Sequence, residues 1–161
     1  MTAGLNYHQP RAMQVCLVHH ADAVGPDVDP QRPLSALGRS QAEWLADEVK
    51  ALGMAPAAIW HSGKLRARQT AEPFLRVSPF AEFKMVRGLR PDDPPEIMQN
   101  VLLHDGRDLV VVGHMPSIAA LLRMLATGSA QFPLHGLVTV ERSNAAPGWS
   151  ELWRRQPPTT P

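Results

Sequence analysis

Cysteine occurs once in these 161 residues, at Cys16. A single thiol excludes a disulfide framework within the chain and any cysteine-rich metal site. Lysine is nearly as scarce, at Lys50, Lys64 and Lys84 only, and the formal net charge is +1. That balance lacks the basic excess of a nucleic-acid binder. No apolar run approaches the length that spans a bilayer. The first dozen residues, "MTAGLNYHQPRA", hold no apolar stretch of the signal-peptide kind. No internal repeat is visible. The expectation is a cytoplasmic monomer with neither a membrane nor a nucleic acid as partner.

What is present reads as one globular domain. The apolar fraction is 44% and the charged fraction 19%, ordinary values for a chain that builds a core. Residues 1–12 read as a disordered leader, 13–155 as the domain, and "QPPTTP" at 156–161 as a disordered tail. "MQVCLV" (13–18) and "DLVVVG" (108–113) are short, nearly continuous apolar runs, the pattern of strands buried on both faces. "AAIWHS" (57–62) and "FKMV" (83–86) read as further strands. Between them lie helical patterns. Ser35 is placed to cap a helix whose apolar face is Ala42, Leu45, Val49 and Leu52, stopped by Gly53. A polar helix begins near Lys64, and Pro73 is expected to kink or end it. Another helix follows Pro94, and one opening at Pro116 repeats Ile118, Leu121, Leu122 and Leu125 at helical spacing. "GLVTVER" and "WSELWRR" alternate, as a closing antiparallel pair around "NAAPG" would. The sum is an α/β three-layer sandwich: a mostly parallel mixed sheet with helices on both faces.

In such folds ligands sit beyond the carboxyl ends of the strands. Three predicted strands end in chemistry-bearing residues. The first ends in His19-His20, the second in His61-Ser62 with Arg66 close behind, and "DLVVVG" in His114. Strand-end imidazoles can be structural, and they can ligate zinc. Yet no His-x-x-x-His spacing and no second cysteine completes a ligand set, so no metal and no cofactor is expected. Two imidazoles and a guanidinium around one anion would suit phosphoryl transfer, and the helix start after His114 would favour the anion. Trp44, Trp60, Trp149 and Trp153 read as packing residues, His61 as an ordinary strand-end residue, and His135 and Arg142 as surface residues.

Four segments, in order, resemble the histidine phosphatase superfamily of phosphoglycerate-mutase-like fold, and within it the SixA-type phosphohistidine phosphatases. The family opens with a strand ending Arg-His-Gly; "HHA" (19–21) occupies that slot, with His20 as the match of the nucleophile. The SixA-type Arg-Pro-Leu-Ser/Thr and glycine are matched by "RPLSALG" from Arg32. The family's Ser-Pro-x-x-Arg-Ala-x-Gln-Thr is matched by "SGKLRARQT", which aligns Arg66, Ala67, Gln69 and Thr70. Gly-His-x-Pro is matched by "GHMP" at His114.

The resemblance implies a phosphatase that passes the phosphoryl group through a phosphohistidine on His20. Arg66, His114 and Arg32 would surround the oxygens, with His114 as a donor. His19 stands where the family has an arginine that holds the phosphoryl group, and Ala21 where it has glycine. A protonated His19 would restore part of that charge; a neutral one would leave a slow, acid-shifted or inactive enzyme. Asp92, Asp93 and Asp22 are candidates for the leaving-group acid. The implied substrate is a histidine-phosphorylated signalling or phosphotransfer protein. A non-catalytic phosphate- or phosphoprotein-binding member and a phosphatase for a small phosphate compound remain open.

Overall fold

A computed structural model describes residues 12–143 and 148–160. Most of the expected leader, most of the "NAAPG" turn and Pro161 lie outside the described residues. Six strands form one sheet: β1 (Met13–His19), β2 (Ala58–His61), β3 (Glu82–Met85), β4 (Leu109–Gly113), β5 (Leu137–Arg142) and β6 (Trp149–Arg155). Their order is β3-β2-β4-β1-β5-β6. The first four strands are mutually parallel, and β5 pairs antiparallel with both β1 and β6. The sandwich expected from the sequence is the one observed.

Alternation along the buried strands explains the layers. Val15 and Leu17 of β1 and Val111 of β4 face one side, where they meet Met98 and Leu102 of α3 (Pro95–His104) and Ile118, Leu121 and Leu122 of α4 (Ser117–Leu125). Cys16, Val18, Val110 and Val112 face the other. There they meet Leu45, Ala46 and Val49 of α1 (Ala36–Ala51), Ala67 and Ala71 of α2 (Leu65–Ala71), and Phe74. Strands covered on both faces need apolar residues at successive positions, which is why β1 and β4 read as continuous runs. Among the described residues no helix is long and apolar enough to cross a membrane.

Several details depart from the sequence reading. Leu52, expected on the apolar face of α1, is its C-cap and is exposed. Pro73, by contrast, ends α2 as expected, turning the chain into a short 3-10 helix, Glu72–Arg76. Arg142 is not a free surface residue: its guanidinium donates to the carbonyls of Leu102, Leu103 and Asp105 at the C-terminal end of α3 and lies over the Trp149 ring. Of the expected tail, Pro157 is buried, and Gln41 Nε2 donates to the Pro158 carbonyl at 3.3 Å.

The start of α1 is tied to the end of β1. Ser35 Oγ accepts from the Gly38 N–H (3.0 Å) and donates to the Asp22 carboxylate (2.5 Å), while the Ser35 N–H donates to the Asp22 carbonyl (3.0 Å). Gly38 passes so close that a Cβ there would overlap the Asp22 carbonyl. Because the obstacle is backbone, Gly38→Ala is expected to cost about 2–3 kcal/mol, as overpacked sites do. Urea denaturation measures it; unchanged stability would mean that α1 slides freely past Asp22.

Candidate active site

The parallel strands β1, β2 and β4 end side by side, and their next residues converge. β1 delivers His19 and His20, β2 delivers Ser62, and β4 delivers His114. The His20 N–H donates to the Gly113 carbonyl (3.1 Å), which holds the two strand ends together. The His20 ring lies 4.6 Å from that of His19 and 4.9 Å from that of His114, centroid to centroid. Arg66, in the first turn of α2, is close enough for its charge to bear on all three imidazoles. Arg32 bears on His20, His114 and Arg66. Arg32 Nε donates to the Val24 carbonyl (3.0 Å), which anchors the guanidinium by one edge.

His135, read from sequence as a surface residue, belongs to this cluster. Its ring stacks on His19 at 4.8 Å with planes 9° apart, and its side chain is only 19% exposed. The overlooked clue was its position two residues before a strand antiparallel to β1. That pairing sets Leu137 opposite Val18, so the residues before β5 must lie beside those after Val18.

Hydrogen bonds fix where the protons sit. A carbonyl can only accept, so the 2.7 Å contact between His20 Nδ1 and the Ala21 carbonyl puts the proton on Nδ1 and leaves a lone pair on Nε2. His19 is the reverse: its Nδ1 accepts from the His135 N–H (2.8 Å), so its proton sits on Nε2. Burial pushes His19 down to about 2, helped by the repulsion that a charged His19 would meet from the neighbouring histidines and Arg66. Burial likewise pushes His20 down to about 4 and His114 to about 3. The free protein therefore holds His19 neutral at physiological pH, the second of the two states open from the sequence. His114 is also neutral when free. Its Nε2 meets Ser62 Oγ at 2.6 Å. Its Nδ1 and the Nε of Arg66 are buried with no hydrogen-bond partner among the described residues. Burial and Arg32 lower the Arg66 pKa, but an arginine remains charged throughout the ordinary range.

Ring nitrogens of His19, His20 and His135 lie within 4.8 Å of one another. A metal needs a lone pair from each ligand. The lone pair of His19 is on Nδ1, already taken by the His135 N–H, and its Nε2 carries the proton. The trio thus offers at most two free lone pairs rather than three, a poor fit to a metal.

The candidate acids are placed differently. Asp93 Oδ2 accepts from the Gly88 and Arg90 N–H groups (3.1 and 3.0 Å), closing its own loop. Asp22 Oδ2 accepts from Ser35 Oγ, and its Oδ1 stands 3.9 Å from His135 Nε2. Asp92 is exposed. A cleft of about 480 Å³ runs from Ser62 past Met85, Arg87 and Arg90 to Asp93 and Ile97. His61 is turned to its own loop, where Nδ1 accepts from the Gly63 N–H. The expected anion position at the start of α4 is modified too: Pro116 is the N-cap, and the Ile118 N–H bonds back to the His114 carbonyl (2.8 Å).

Gln69 and Thr70 buttress the site. Gln69 accepts from the Leu34 N–H (2.8 Å) and Thr70 Oγ1 from the Ala21 N–H (2.9 Å). They tie α2 to the segments after Arg32 and His20.

Residues 17–90 match the family model described as the histidine phosphatase superfamily (branch 1). The structure of the protein histidine phosphatase SixA complexed with tungstate superposes with a TM-score of 0.79, covering 90% of this chain and 97% of that one at 22% identity. A SixA-named protein of Agrobacterium tumefaciens gives 0.77, with 91% and 99% covered at 21% identity. A phosphoglycerate mutase of Plasmodium falciparum gives 0.69, with 88% and 89% covered at 14% identity. No curated protein matches the sequence. Residues 17–90 carry the sequence pattern of the histidine phosphatase superfamily, and the chain as a whole takes the fold of the SixA and phosphoglycerate mutase structures.

Proposed function

We propose that the protein is a phosphohistidine phosphatase that works through a covalent intermediate on His20. The observation carrying this reading is the 2.7 Å bond from His20 Nδ1–H to the Ala21 carbonyl, which leaves Nε2 unprotonated beside Arg66 and His114. In the first step Nε2 attacks phosphorus. The bond to the leaving nitrogen breaks, its electron pair stays with that nitrogen, and a proton from water completes the departing imidazole. In the second step water attacks the phosphorus of phosphohistidine 20 and releases inorganic phosphate, restoring the lone pair on Nε2. Arg66 and Arg32 neutralise the equatorial oxygens, where charge gathers in the transition state. His19 gives one N–H through Nε2. A phosphate dianion offers an acceptor to Arg66 and favours a protonated His114, the donor form.

The carboxylates support a phosphoramidate over an alkyl ester. Asp93 and Asp22 already accept hydrogen bonds within their own loops. An alkoxide needs a strong acid to leave; an imidazole nitrogen is basic enough to take its proton from solvent. The fold shared with SixA agrees with this choice. The test is a substrate panel: a phosphohistidine peptide, a sugar phosphate and a nucleotide monophosphate. Phosphate release from the peptide should exceed release from either ester by about a hundredfold, a difference near 2.7 kcal/mol in the barrier. Faster release from an ester would make this a small-molecule phosphatase. A second reading draws on the neutral His19 in the arginine position: a phosphate-binding protein with little turnover. Calorimetric binding of phosphate with no hydrolysis of any panel member would establish it.

A further inference from the structure

His135 lies in no recognised motif, yet it touches both residues of the His19-His20 pair. The chain enters β5 through "PLHG" (133–136), and the His19 N–H bonds to the Gly136 carbonyl at 3.0 Å. The His135 N–H then donates to His19 Nδ1 (2.8 Å), and its side-chain Nδ1–H donates to the His20 carbonyl (2.7 Å). One residue thereby grips a ring and a backbone group on the partner strand. It does so from a left-handed backbone, φ +53°. Among the described residues only one other non-glycine residue shares that region, Arg32 at φ +50°. Such a conformation persists where the surroundings enforce it, and it clusters at working sites.

We propose that His135 is a positioning residue of the phosphate site: it locks the proton of His19 onto Nε2 and holds the His20 backbone in place. A free imidazole exchanges its proton between two nitrogens, so it is a donor toward a given point only part of the time. The His135 N–H removes that freedom. His19 becomes a permanent N–H donor at Nε2, one fixed bond where the resembled motif carries a guanidinium. The stacked His135 ring closes off the other face of His19, and its bond to the His20 carbonyl keeps the two strand ends from parting. That the anion is phosphate rests on the function proposed above; the proton lock does not.

Long-range proton–nitrogen spectra of the ring nitrogens read the lock directly. In the wild-type protein His19 should show the Nε2–H pattern, unchanged between about pH 6 and 8. His135→Gly accepts the positive φ but loses the ring bond to the His20 carbonyl that holds its backbone N–H against His19 Nδ1. His19 should then show a mixture of tautomers, and the Kd for inorganic phosphate should rise about tenfold. His135→Asn tolerates the same backbone and can donate to the His20 carbonyl, so it should recover most of both signals. A residue that only supported the fold would lower the melting temperature and leave the tautomer untouched. A wild-type His19 protonated on Nδ1 overturns the proposal, as does a glycine variant with unchanged spectrum and phosphate affinity. The spectrum of the wild type decides even if the glycine variant does not fold. A protein with the Nε2–H pattern that hydrolyses nothing would keep this inference and lose the phosphatase; fast hydrolysis with the Nδ1–H pattern would do the opposite.

Discussion

His20→Ala should abolish turnover of a phosphohistidine peptide, with a loss on the order of 10⁴-fold or more, as expected when a covalent nucleophile is removed. The size follows from what no neighbour can replace. His19 cannot attack, because its Nε2 is protonated and its Nδ1 is bound to the His135 N–H. His114 Nε2 is engaged by Ser62 and its Nδ1 is buried. His135 Nδ1 is bound to the His20 carbonyl, and its ring stands 5.9 Å from that of His20, on the side of His19 and Asp22. The fold should tolerate the change, since the lost bond to the Ala21 carbonyl is worth only about 1 kcal/mol. Mass spectrometry of rapidly quenched wild-type protein should show an acid-labile phosphoryl adduct that the variant lacks. A variant keeping a tenth of the activity would place the nucleophile elsewhere.

The sheet was legible because burial on both faces leaves a plain mark. β1 and β4 have almost no polar residues to interrupt them, and the helix of Ile118, Leu121, Leu122 and Leu125 follows one period. The convergence of His20, Arg66 and His114 was legible at the level of topology, because each follows a parallel strand and such strands end on one side. Proton positions were not. The sequence shows a histidine where an arginine is expected, and from that alone a charged His19 and a neutral one are equally consistent. What decides is burial together with the His135 N–H, a contact across 116 positions of chain. His135 itself was hidden because a lone histidine between a proline-containing loop and a glycine looks like any turn residue. Only the register of β5 against β1 brings it home. The engagement of Asp93, a candidate acid from the sequence, was hidden for a related reason: its carboxylate is absorbed by two backbone N–H groups of its own loop, a local bond that composition cannot distinguish from a free surface group.

Acid should destabilise the protein steeply, and the active-site histidines are the cause. In the unfolded chain each imidazole titrates near 6.5. In the native protein His19, His20 and His114 are pushed down to about 2, 4 and 3, chiefly by burial. Between those limits the unfolded chain binds protons that the native state refuses, so stability is fully present above about pH 6.5 and falls as the pH drops. Each group contributes about 1.4 kcal/mol per pH unit once the unfolded form is protonated. Three groups together should remove about 5 kcal/mol between pH 7 and 5, comparable with the whole stability of a marginal domain. Urea denaturation followed by tryptophan fluorescence at pH 7, 6 and 5 measures this. His19→Asn, which removes one of the three, should shrink the loss by about a third. Saturating phosphate should shrink it further, because an anion among the rings favours their protonated forms and binds only the folded state. The loss of activity in acid would then track unfolding, and phosphate would delay both. Stability that stays level from pH 7 to 5 would mean that water reaches these rings and that the site is not the dry, proton-refusing pocket its geometry describes.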